Sequence, residues 1–135
     1  MRRPDWVKQL HETIEAAAQK PFDYGAYNCG LFAAECIDAM TGEARAAELR
    51  SQFTDEASAK AFVGAAGGIE GAVTARLGFP FQTWGRARRG DVCLVMTQDG
   101  PGLGICVGTL IVMMTPGAGL THVRIDEALK VWRVD

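Results

Sequence analysis

The hydrophobic period of this chain changes once. Up to about residue 80 the apolar side chains recur three and four positions apart. From about residue 90 they fall into short apolar or alternating runs punctuated by glycine and proline. Helices collected ahead of a strand meander indicate an α+β domain, with the helices packed on an antiparallel sheet. The chain of 135 residues is expected to form a single domain over 1–135, with the helical part about 4–80 and the sheet about 90–135.

Pro4 and Asp5 suit a first helical turn. Val7, Leu10, His11 and Ile14 then fall on one face of a helix running to Gln19, ahead of Pro21. A second helix opens at Cys29, carries Phe32, Cys36 and Met40 with Ala33 and Ile37 beside them, and stops at Gly42. Thr54, Asp55 and Glu56 supply the cap and first-turn acids of a third, over 54–66, ending at Gly67-Gly68. A short fourth covers 69–77. Strands are expected over 91–96, 103–107, 110–114, 120–125 and 130–134, the last around Trp132.

Cys29 sits at the junction of a turn-forming stretch, Tyr24-Gly25-Ala26-Tyr27-Asn28, and the second helix. Free N–H groups at a helix N-terminus favour a thiolate, so Cys29 is expected to titrate below the ordinary value of about 8.5 and to act as a nucleophile. The competing reading is a small core hydrophobe. That reading is the one expected of Cys36, two turns deeper on the same face, and of Cys93 and Cys106 inside strands. No metal site is expected: Cys29-x6-Cys36 and Cys93-x12-Cys106 contain no CxxC knuckle, and the only histidines are His11 and His122. No cofactor motif is present either, since Gly64, Gly67, Gly68 and Gly71 follow no strand.

An apolar content of 48% with 22% charged residues describes an ordinary soluble globule, whose cysteines are expected to stay reduced. A net charge of −2 gives no basic footprint for nucleic acid, and Arg86, Arg88 and Arg89 read as a solvated loop. The start, Met1-Arg2-Arg3-Pro4-Asp5-Trp6, lacks the apolar stretch of a signal peptide, and no run reaches the length of a membrane span. Trp6, Trp84 and Trp132 read as packing residues, with Trp84 a candidate for lining a groove beside Gly85.

Several short stretches together resemble the NlpC-like cell-wall peptidases, which have a papain-like fold, in the compact form encoded by phages and prophages. Tyr27-Asn28-Cys29 is similar to that family's Tyr-Asp-Cys lead into the nucleophile helix. Arg89-Gly90-Asp91-Val92-Cys93-Leu94-Val95 resembles its first strand, Leu103-Gly104-Ile105-Cys106-Val107-Gly108 its second, and Trp132 fits its usual ending. The resemblance covers the chain from about Tyr24 onward. It implies thiolate attack on a peptide carbonyl, with a histidine as base and a polar residue orienting it. It puts Cys29 at the nucleophile position and Tyr27 at that of an active-site hydroxyl, on the oxyanion and substrate side.

The same resemblance puts Gly102 where the family has its histidine, and Met113 or Met114 where it has the orienting residue. His122 is the remaining candidate base. If Val123 and Ile125 face the core, strand alternation turns His122 outward. His11 reads as a half-buried packing residue, and Asp99 as turn chemistry before Gly102. The resemblance therefore implies a phage or prophage tail or tail-tip protein with impaired or lost peptidase activity. Its expected partners are other tail proteins and peptidoglycan, and its expected location the virion, or the host cytoplasm before assembly. The alternative is an active cysteine peptidase or amidase that hydrolyses cell-wall peptidoglycan during phage entry. A third reading, a cytosolic thiol enzyme of the transglutaminase or amidase kind, needs the same missing base.

Overall fold

The computed structural model describes residues 1–135. Helices α1 (Trp6–Ala17), α2 (Cys29–Thr41), α3 (Arg45–Arg50), α4 (Glu56–Ala65) and α5 (Ile69–Leu77) precede strands β1 (Val92–Thr97), β2 (Gly100–Cys106), β3 (Leu110–Thr115), β4 (Gly119–Arg124) and β5 (Lys130–Trp132). The strands form one sheet in the order β4-β3-β2-β1-β5, and every pairing is antiparallel. The first four strands are the expected meander. The fifth returns to the opposite edge, beside β1, where Phe81 pairs with Val131 through two backbone hydrogen bonds and covers that edge.

The central helix α2 packs on α1 and α3 and lies against β2 and β3. Its Leu31, Phe32, Cys36 and Met40 are fully buried, and full burial of a large apolar side chain is worth roughly 1.5–3 kcal/mol. The helix ends as its sequence dictates: Gly42 takes φ +80°, a left-handed conformation that side chains resist. Asp55 and Ser58 close a capping box at the start of α4.

Two apolar layers flank the sheet. The larger lies between sheet and helices and includes Val92, Leu94, Leu103, Ile105, Val112 and Trp132. The smaller, on the opposite face, joins Cys93, Val95, Cys106, Ile111, Met113 and Val131, with Val123 and Ile125 packed against it. Between the termini, fully buried Asp91 accepts from Arg133 Nε at 2.9 Å, Arg2 Nη2 at 3.3 Å and the backbone N–H groups of Arg88 and Val134.

Two expectations need correction, and one helix was not expected at all. The buried face of α1 runs through Leu10 and Ala17, with Trp6 and Ile14 beside them, so Val7 and His11 stand one step outside it. His11 is exposed and pairs with Glu15 at 3.0 Å, an i,i+4 contact, rather than packing inside. Helix α3 falls in a stretch that showed no periodic pattern; its start is held by Asp38, whose carboxylate accepts from the Arg45 and Ala46 N–H groups.

Candidate functional site

The turn before α2 fixes where the cysteine stands. Asp23 and Tyr27 exchange two backbone hydrogen bonds, at 2.8 and 3.0 Å, and Asp23 Oδ1 accepts from the N–H groups of Gly25 and Ala26. Gly25 is required because a Cβ there would collide with the backbone of Asp55. Asn28 then leaves the turn extended, and its Oδ1 accepts from Leu31 N–H at 2.9 Å while its Nδ2 donates to the Tyr24 carbonyl at 2.7 Å. Asn28 is thus the cap, and Cys29 is the first helical residue.

Cys29 keeps partial exposure, whereas Cys36, Cys93 and Cys106 are buried; all four are free thiols. Burial among apolar neighbours pushes the Cys29 thiol up, and backbone N–H groups of Leu103, Gly30 and Cys29 itself oppose it without prevailing. The direction is opposite to the expected lowering, because desolvation outweighs the neighbouring backbone donors. Burial raises the other three thiols as well.

Cys29 opens onto a cavity of about 500 Å³ between α2, α4, α5 and the β1–β2 hairpin. Most of its wall is apolar. Its ionisable side chains besides Cys29 are Tyr24, Arg45, Lys60, Arg76 and Asp99, and no histidine lines it. The turn residue Asp99 does reach this wall, together with Pro101 and Leu103 of β2.

The remaining candidate residues stand elsewhere. A Cβ on Gly102 would meet Met113 Cε at 3.1 Å and Thr97 Cγ2 at 3.6 Å, on the face away from α2. The β2 residues on the Cys29 side are Pro101 and Leu103. Met113 belongs to the far layer, and Met114, on the helix side, is an apolar core residue.

Tyr27 does not line the cavity. Its hydroxyl donates to Glu35 Oε1 at 2.9 Å, and Arg50 holds the other oxygen of that carboxylate at 2.7 Å. Burial, reinforced by Glu35, holds the Tyr27 phenol well above its usual range, in the protonated form.

His122 is exposed, as its alternation with Val123 and Ile125 leads one to expect. It pairs with Val112, whose side chain is in the helix-side layer, so it is Val123 that faces the far layer and His122 that shares the α2 face. Yet it stands outside the cavity, on an edge strand two spacings from β2, roughly 10 Å across the sheet. Trp84 begins a short turn, Trp84–Arg86, and stays off the cavity wall; Trp132 is fully buried and donates to Thr74 Oγ1 at 3.2 Å.

Chemically, the site offers a desolvated thiol, three backbone donors near it, one turn carboxylate and an apolar chamber with cations on its wall. No three His, Cys, Asp or Glu side chains converge as a metal-binding group. The wall cations went unread in the sequence because each sits among ordinary helical charges, and only the packing of α3, α4 and α5 gathers them.

Residues 1–134 match the model of a family described as a domain of unknown function, DUF6950. The chain belongs to the DUF6950 family. No curated protein matches it. The match spans the DUF6950 chain from α1 through β5, so the cavity and its cysteine lie wholly inside the family domain. No helix of this DUF6950 chain is long and apolar enough to cross a membrane.

Proposed function

We propose that this chain is a non-hydrolytic relative of the NlpC-like peptidases, serving as a structural component of a phage-type tail. The observation that supports the inactive reading is the geometry around Cys29, with no imidazole on the cavity wall and apolar or backbone groups on the β2 side; burial pushes the thiol up as well. Thiol hydrolases need a base to draw the proton and then return it to the leaving amine, and a lost general base removes about 10²–10⁴ in rate. The α+β architecture, with a cysteine opening a helix over an antiparallel sheet, is compatible with the papain-like arrangement. The tail role, the tail-protein partners and the virion location rest on the sequence resemblance.

The test is incubation of purified protein with peptidoglycan, with and without the particle fraction of the source organism. No release of soluble fragments, identical for wild type and Cys29→Ala, is expected, together with recovery of the chain in purified particles. Cleavage abolished by Cys29→Ala overturns the inactive reading.

One observation favours the active alternative. Asp99 is the only carboxylate on the cavity wall, so an active hydrolase would draw on it as base. Peptidoglycan cleavage lost in both Cys29→Ala and Asp99→Asn would establish that reading.

A further inference from the structure

We propose that the cavity beside Cys29 binds a small amphiphilic anion, an unbranched apolar carboxylate whose chain fills the chamber and whose head group rests on Arg76. This goes beyond the structural role above and does not depend on it. A volume of about 500 Å³ lies within the range of small-molecule sites, which are mostly apolar with a few fixed polar groups. Here the apolar wall includes Phe53, Phe62, Val63, Ile69 and Leu77.

Arg76 supplies the polar end. Its Nη1 donates to the Ala72 carbonyl at 3.0 Å, its Nη2 lies a long 3.5 Å from Glu48, and its guanidinium sits 5.1 Å from the Phe62 ring centre. Its Nε is shielded from solvent and has no acceptor. A buried donor left unpaired is costly and rare, and an acceptor oxygen entering the cavity would satisfy it. Arg45 lines the same cavity with a second such Nε, 2.9 Å from Glu43 but out of line for a hydrogen bond. Lys60, on the same wall as Asp99, is paired with Glu56 at 3.7 Å, so the unsatisfied donors of this wall are the two guanidinium Nε groups.

Two buried guanidinium donors without an acceptor select an anionic, acceptor-bearing head group, and the apolar surface selects a chain. A peptide would fit less well, because a mostly apolar wall leaves its backbone N–H and C=O groups unpaired. A carboxylate on an arginine, in contrast, forms charge-assisted bonds at one end only.

The experiment is calorimetric titration of the full-length chain with decanoate, decanol and acetate. Saturable one-site binding of decanoate is expected, with decanol at least about tenfold weaker and acetate silent. Arg76→Gln should weaken decanoate about tenfold and leave decanol unchanged. Ala72→Phe, which fills the cavity, should abolish both, with circular dichroism verifying the fold of each variant. The wild-type ligand series stands alone if a variant fails to fold. Absence of saturable decanoate binding, equal affinity for decanol, or an unchanged affinity in folded Arg76→Gln would overturn the proposal, as would an apolar peptide binding where decanoate does not.

Discussion

Leu103 meets Cys29 where β2 passes the start of α2: its backbone N–H favours the thiolate, and its side chain walls the same cavity. The neighbouring Gly102 faces Met113 on the other side of the sheet. Leu103→His is therefore the β2 substitution that brings an imidazole to the cysteine. It should speed alkylation of Cys29 at pH 7 about tenfold, since a histidine partner lowers a thiol. Gly102→His should not change that rate. It should cost about 1–3 kcal/mol by crowding Met113, read by urea unfolding.

Asn28→Ala removes the side-chain acceptor of Leu31 N–H and should cost about 1 kcal/mol, within the usual range for a lost cap. Cys29→Ala at the adjacent position should cost less than about 1 kcal/mol, since it deletes a single partly exposed sulfur. Chemical denaturation of both variants checks the order of the two effects.

Asp91→Ala should be far more damaging. It strands Arg2 and Arg133, which both pair with a fully buried carboxylate, and it unties Val134 N–H as well. Breaking a buried ion pair from one side costs about 3–5 kcal/mol. A loss under about 1 kcal/mol in urea unfolding would contradict this account of how the two termini are held.

Glu35 predicts a pH dependence. Burial pushes its carboxyl up, but hydrogen bonds from Arg50 and Tyr27, with Lys20 nearby, outweigh it and hold the group below its ordinary value. A carboxylate depressed on folding stabilises the protein above its unfolded value of about 4.3, and that stability is lost as pH falls through the folded value. Wild type should therefore lose more stability than Glu35→Gln between about pH 5 and pH 3. Parallel curves for the two proteins would contradict the assignment.

How far the sequence could be read depends on the range of each signal. Helix α2 was legible because Phe32, Cys36 and Met40 repeat along one face and Gly42 ends it, and the four meander strands were legible through their turns. Helix α3 was not, since six residues held by the distant side chain of Asp38 carry no period. The exposure of His122 follows from its alternation with Val123 and Ile125, but the layer those two pack on was not legible, because alternation tells which residues share a face and not which face is which. Cys29 was placed correctly at a helix N-terminus, yet its ionisation depends on Val92, Leu103 and the other cavity walls, brought together only by tertiary packing.

The central claim is that Cys29 is a raised thiol with no imidazole to serve as its base, and its rate of alkylation against pH tests this most directly. Mass-spectrometric mapping after brief iodoacetamide treatment, from about pH 6 to pH 10, should show Cys29 modified slowly at neutral pH. Its rate should still be rising above the ordinary thiol value of about 8.5. A rate that is high at pH 6 and flat through pH 8 would mean an activated thiolate, and would contradict the account.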